Sequence, residues 1–435
     1  MSTATLYERR KNIVPSALGV FSPASAVSAQ GAIITDADGR EMIDFAGGIG
    51  VLNAGHCPAP VVKAIQDQAA KLIHSSFNVA IYEVYLELAE KLAELFPHHE
   101  KEGDSTKVML VNTGAEAVEN AIKIARQATG RQAIICFENA FHGRSMMAMT
   151  LTSKVGYKTG CGPFAPEVYR LPYPYYGPTQ WHITEDVYVT EQIAAMKHFF
   201  QTQVAASQVA AIIMETVQGE GGFYPAPIAY LQALRQLCNE TGIMLILDEV
   251  QSGFGRTGDW AAYNFANVRP DISTWAKSMG SGMPIGCVIA RTSVIDRING
   301  GTIGGTYAGN PVCAAASLAT IKYMEEIDIN AKGRHVGQIV RTRFEAMQNR
   351  FPSAIGDVRG LGAMLALELV KDGDLSKPDG DLCKKVVQYA NDNGLILISA
   401  GVYGNVIRVL SPLVISDEDL MKGLDIIEAG IAANV

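Results

Sequence analysis

Apolar positions along the chain follow two periods. Short runs rich in β-branched residues, Lys107–Val111, Gln132–Cys136, Val209–Met214 and Ile243–Leu247, read as buried strands. Helical patterns lie between them: in Ala117–Arg126, Val118, Ala121, Ile122 and Ala125 recur at i, i+3, i+4 and i+7. Strands apolar on both faces, alternating with helices, predict an α/β fold with a central, mostly parallel sheet sandwiched by helices. The alternation over Gly31–Asp44 predicts a small sheet before it. From about Ile355 the tail becomes β-rich, with strands expected at Gly362–Leu369, Leu395–Ser399 and Asn405–Leu410. Ser416-Asp-Glu-Asp then caps a final helix with Leu420, Leu424 and Ile427 on one face. The expected division is a large domain over 61–320 and a smaller α+β domain assembled from 1–60 and 321–435.

At 435 residues and 48% apolar content, the chain can bury a large core and is too long for one. A formal charge of −8 argues against the extended basic surface of a nucleic-acid binder. The seven cysteines are scattered without a C-x-x-C pair and read as reduced thiols, several of them buried. The first residues lack a signal-like apolar run, and no segment approaches the ~18 apolar residues of a membrane span. A soluble, cytoplasmic protein is expected, with no membrane partner.

Four loops at the ends of predicted strands hold the unusual residues, where open α/β sheets bind ligands. In Asn112-Thr-Gly-Ala-Glu-Ala-Val, Gly114 allows close approach, and the N–H groups of the helix start around Ala115 suit a phosphate. Phe137-Glu-Asn-Ala-Phe-His-Gly-Arg-Ser offers Phe141 as a stacking ring, Arg144 as a fork for a carboxylate, and His142 as a hydrogen-bonded or titrating group. In Met214-Glu-Thr-Val-Gln-Gly-Glu-Gly-Gly-Phe, Glu215 reads as scaffold and Glu220 as the acid facing a ligand. Asp248, directly after five aliphatic residues, calls for a buried cation. Lys277, 29 residues later, stands as its candidate partner. Singly, each residue also fits a plain structural role.

Together they meet the requirements of pyridoxal 5′-phosphate. The helix start would hold the phosphate. Phe141 and Val250 would cover the two faces of the ring, Asp248 would keep its nitrogen protonated, and Gln251 would serve the phenolic oxygen. Lys277, with its pKa lowered by an apolar setting, would hold the aldehyde carbon and later carry the substrate proton.

At this point the sequence resembles the class-III aminotransferases over essentially the whole chain, from Asp44-Phe-Ala-Gly-Gly-Ile-Gly-Val-Leu-Asn-Ala-Gly-His to Gly404-Asn-Val-Ile-Arg-Val-Leu. The most specific stretches are Glu215-Thr-Val-Gln-Gly-Glu-Gly-Gly, Asp248-Glu-Val-Gln-Ser-Gly-Phe-Gly-Arg-Thr-Gly, Ala276-Lys-Ser and Gly305-Thr-Tyr-Ala-Gly-Asn-Pro. The resemblance implies fold type I of the pyridoxal-phosphate transferases and transfer of the terminal amino group of an ω-amino acid, 4-aminobutyrate foremost, to 2-oxoglutarate. It also implies a homodimer or dimer of dimers in which Thr306 reaches the neighbouring subunit's cofactor phosphate. By the same resemblance Arg144 clamps the distal carboxylate, Arg408 binds the α-carboxylate of glutamate, Glu220 neutralises Arg408 when an ω-amino acid is bound, and Ile49 narrows the site. Two departures are Ala115, where the family commonly has Ser, and Phe141, where it commonly has Tyr. Neither removes a catalytic group.

Other donors (5-aminovalerate, 6-aminohexanoate, ornithine-like diamines) differ by methylenes or a terminal charge and stay open, as do a racemase or epimerase on the same scaffold and a non-catalytic role. There is no P-loop, and Gly280-Ser-Gly-Met-Pro-Ile-Gly has the wrong spacing for a dinucleotide fingerprint. His98-His99-Glu100 reads as a solvated loop rather than a metal site, and no metal is expected. The aromatic segment Tyr169–Trp181 is left between an entrance wall and a dimer contact.

Overall fold

The computed structural model describes residues 1–98 and 104–435. After a helix over Thr3–Ile13, β1 (Ser28–Gln30), β2 (Ile33–Thr35) and β3 (Glu41–Asp44) form an antiparallel meander, the small sheet expected from the alternation. The central strands are β4 (Thr106–Val111), β5 (Ala133–Phe137), β6 (Val168–Leu171), β7 (Val209–Glu215), β8 (Met244–Asp248), β9 (Ile272–Trp275) and β10 (Gly286–Arg291). They assemble in the order β4-β10-β9-β8-β7-β5-β6. Strand β10 runs antiparallel to both neighbours, and the remaining pairs are parallel. Every residue of β5 and β7 is buried, as expected for strands covered on both faces. The predicted stripe Val118, Ala121, Ile122 and Ala125 is the buried face of the helix Gly114–Thr129.

The tail contributes β11 (Ile355–Leu361), β12 (Met364–Lys371), β13 (Asp374–Pro378), β14 (Leu395–Ile396), β15 (Ile398–Ala400) and β16 (Val406–Val409). Strands β11-β12-β16-β15 form an antiparallel sheet, with β13 paired to β12. The single strand expected over Leu395–Ser399 is two: β14 pairs in parallel with β3, and β15 joins β16. All of Leu395–Ile398 is buried, so its run of apolar residues carries no mark of the switch between sheets. The final helix, Asp417–Ala432, is capped as expected, Ser416 Oγ accepting from the Asp419 N–H at 3.1 Å.

One loop reading changes. His98 is buried, its ring nitrogens 2.7 Å from the Phe96 carbonyl and 2.8 Å from Ser273 Oγ, while His99 and Glu100 lie outside the described residues. Burial pushes its imidazolium down to about 4, so it packs as a neutral ring rather than as a solvated one. The segment Tyr169–Trp181 starts in edge strand β6 and then fastens parts of this chain together. The Tyr173 hydroxyl donates to the Glu215 carbonyl at 2.9 Å, and that of Tyr175 donates to Asp357 on β11 at 2.8 Å. No helix of the described residues is long and apolar enough to cross a membrane.

Candidate functional site

Strands β4, β5, β7, β8 and β9 carry their carboxyl ends to one cavity of about 500 Å³, and residues from each of the loops that follow line it. After β4, Thr113 caps the helix Gly114–Thr129, its Oγ accepting from the Glu116 N–H at 3.1 Å. The Glu116 carboxylate reaches back to the Asn112 N–H at 2.9 Å. The N–H groups of Gly114 and Ala115 are left without an intrahelical acceptor at the positive end of the helix, facing the cavity. A Cβ on Gly114 would lie 2.9 Å from Val250 Cγ1, so only glycine lets this turn close on the loop after β8.

After β5, Phe141, His142 and Arg144 line the cavity together. Glu215, at the end of β7, ties two loops down: its carboxylate accepts from the Phe141 N–H at 2.9 Å and the Gly219 N–H at 2.8 Å. Burial pushes this carboxyl up to about 7, against the nearby His142 and the two backbone donors. It is the scaffold acid, as expected.

Asp248 is buried at the end of β8. Its hydrogen-bond partner is not Lys277, the cation the sequence suggested, but His142, whose Nδ1 lies 2.7 Å from Oδ2; the Val250 N–H donates to Oδ1 at 3.1 Å. Proximity to Lys277 follows from neighbouring strands, whereas the bond to His142 comes from a loop two strands away. Lys277 follows β9 with φ at +50°, a left-handed backbone that turns the chain into the cavity. Its ammonium has no hydrogen-bond partner among the described residues. Burial pushes it down to about 8, and Arg408 adds to this while Glu220 opposes it. The Gln251 amide oxygen is buried without a partner.

A second cavity of about 240 Å³ continues the first, sharing Phe141, Arg144, Glu220 and Lys277. Here Arg408, on β16, bonds Glu220 at 2.6 Å, with the Arg408 side chain 3% exposed and that of Glu220 19%. Burial alone would raise the Glu220 carboxyl, but the charge and hydrogen bond of Arg408 outweigh it and hold the carboxyl below its usual range. Arg144, by contrast, makes no ion pair among the described residues; its guanidinium stands 5.9 Å from the Tyr157 ring centre. Ile49 lines the same cavity with φ at +67°, between Gly48 and Gly50, both also at positive φ.

The structure thus brings together Gly114, Ala115, Phe141, His142, Arg144, Glu220, Asp248, Val250, Gln251 and Lys277, with Ile49 and Arg408 in the adjoining space. Thr306 is exposed and lines neither cavity of its own chain. Phe21 and Tyr157 line the smaller cavity and were missed, because each sits in a segment without periodic pattern or motif.

Comparison with known proteins places the chain in a family. Residues 19–431 match the model of the family described as aminotransferase class-III. A probable 4-aminobutyrate aminotransferase of Bacillus subtilis is 45% identical over 100% of this chain and 98% of its own length. A 5-aminovalerate aminotransferase of Pseudomonas aeruginosa is 44% identical over 97% of both. The crystal structure of an amine transaminase from an uncultivated Pseudomonas species, in PLP-bound form, superposes with a TM-score of 0.88 at 28% identity, covering 97% of each chain. With a family match over nearly its full length and relatives that share its entire span, this chain belongs to the class-III aminotransferases.

Proposed function

We propose that this aminotransferase moves the terminal amino group of an unbranched ω-amino acid, with 4-aminobutyrate the expected donor, to 2-oxoglutarate, using pyridoxal 5′-phosphate in the larger cavity. The reading is carried by one observation: Arg408 is neutralised by Glu220 at 2.6 Å, while Arg144 faces the same cavity without a carboxylate. The names of the relatives, for 4-aminobutyrate and for 5-aminovalerate, support the same donor class.

The residues fit the cofactor. Unpartnered N–H groups at Gly114 and Ala115 suit its phosphate, and the slot bounded by Phe141 and Val250 suits a flat ring. Asp248, oriented by His142, suits the ring nitrogen, the unpartnered Gln251 amide oxygen suits a phenolic hydroxyl that donates to it, and Lys277 suits the aldehyde. When bound, the cofactor supplies an electron sink for the charge that develops on the substrate carbon. Thr306, outside its own chain's cavity, serves the phosphate of a neighbouring subunit, which makes a homodimer, or a dimer of such dimers, the working unit. The enzyme works in the cytoplasm, where its seven free thiols stay reduced.

The chain's own groups divide the work. Arg144 grips the carboxylate distal to the reacting carbon with two charge-assisted hydrogen bonds, which aims the other end of the substrate at Lys277. Lys277 Nζ, uncharged in a large fraction of molecules near pH 8, takes the proton from the carbon that bears the amino group and returns it later. With an ω-amino acid bound there is no α-carboxylate, and Glu220 keeps Arg408 paired. With glutamate bound, its α-carboxylate takes Arg408, and Glu220 turns away. Ile49 narrows the passage around the unbranched chain.

Glutamate formation from 2-oxoglutarate and a donor series of four to six carbons tests the proposal. Turnover should be highest with the four- or five-carbon ω-amino acid. Absence of glutamate with every ω-amino acid would overturn it, and scrambling of the α-centre of glutamate without an oxo acid would favour the isomerase instead.

A further inference from the structure

Of the polar groups around the 240 Å³ cavity, Glu220 pairs with Arg408, whose Nε is left buried without a partner, and Lys277 is reserved for the reacting carbon. Arg144 and the hydroxyl of Tyr157 also have no hydrogen-bond partner among the described residues. Tyr157 lies in a short turn, Val155–Tyr157, and its ring is held on three sides: Phe141 meets it edge-on at 5.4 Å, Arg144 lies 5.9 Å from its centre, and Lys154 Nζ 5.7 Å. Lys154 is itself anchored to the Gly401 carbonyl at 3.2 Å. The residue is half-buried, and its hydroxyl has no partner among the described residues and stays open to the cavity, free to meet a ligand. The charges acting on it are those of Glu220, Arg408 and Arg144, which puts it in the substrate space rather than against the scaffold.

We propose that Tyr157 is a substrate-binding residue: its ring, by cation–π contact, fixes the Arg144 guanidinium, and its hydroxyl donates a third hydrogen bond to the carboxylate that Arg144 clamps. This rests on the ω-amino acid reading given above. It predicts that carboxylate recognition depends on a neutral donor as well as on the cation, and that the dependence is equal for donor and acceptor, because both present a distal carboxylate to the same place.

The test uses the cofactor-loaded enzyme and Tyr157→Phe, which keeps the ring and its contacts and removes only the hydroxyl. KM for 4-aminobutyrate and for 2-oxoglutarate should each rise about tenfold, and the inhibition constant of butanoate, a carboxylate with no amine, should rise by the same factor, with kcat within about twofold. Tyr157→Leu, which also frees the guanidinium, should raise all three constants further. Unchanged KM and inhibition constants in Tyr157→Phe would overturn the assignment, as would a fall in kcat with KM unmoved. If the wild-type enzyme itself forms no glutamate from ω-amino acids, the functional reading fails instead, and the butanoate constants of the two proteins still decide the role of the hydroxyl.

Discussion

Replacing Glu220 with alanine should separate the two half-reactions. In the intact protein Arg408 is 97% out of water and paired at 2.6 Å. Its Nε is already buried without a partner, so removal of the carboxylate strips the guanidinium of its one strong acceptor. Charge centres about 4 Å apart attract by roughly 4 kcal/mol at an effective dielectric near 20. Water entering the space left by the side chain, which is 19% exposed, recovers part of this, and a net cost of about 2–3 kcal/mol remains. An ω-amino acid bears that cost in full, because nothing on it can take the place of Glu220. Glutamate bears none, since its α-carboxylate supplies the missing charge. The ratio of single-turnover efficiencies, glutamate over 4-aminobutyrate, should therefore rise by roughly thirty- to a hundred-and-fifty-fold. Each half-reaction is read separately from the absorbance change of the bound cofactor. An equal fall in both, with the ratio unchanged, would show that the ion pair is a static brace and would refute the switch.

Three further outcomes follow from the geometry. Burial penalises the Lys277 ammonium, so its neutral fraction grows as pH rises through about 8: reductive methylation of Lys277 in the cofactor-free protein should accelerate about tenfold per pH unit below 8 and level off above it, whereas a free lysine gains until near 10.4, and continued gain to pH 10 would contradict this. Gly114→Ala places a Cβ 2.9 Å and 3.1 Å from the two Val250 methyls and should push Val250 into the cavity, weakening cofactor binding by about tenfold at an overpacking cost of about 1–3 kcal/mol; an unchanged dissociation constant for pyridoxal 5′-phosphate would argue against the slot. Ile49→Gly relieves a β-branched residue at φ +67° and should raise stability to urea by about 1 kcal/mol after the added entropy of glycine, while raising KM for 4-aminobutyrate through loss of the wall; a lower unfolding midpoint would show that packing outweighs strain here.

Local pattern alone determined a good part of this protein. The apolar runs of the central strands, the stripe on the helix Gly114–Thr129, the Ser416 cap and the loops bearing Gly114, Phe141, Glu215 and Asp248 are all set by period, propensity and turn chemistry within a dozen residues. Pairings between distant segments were of another kind. Asp248 meets His142 rather than Lys277, and the tail's β14 completes the sheet of β3, while the Glu220–Arg408 pair, 188 positions apart, was expected from the family resemblance and not from local pattern. The open guanidinium of Arg144, the free hydroxyl of Tyr157 and the burial of His98 likewise emerged only in three dimensions. The physical reason is that periodicity reports which side chains leave water, whereas sheet order and register decide which of them then meet.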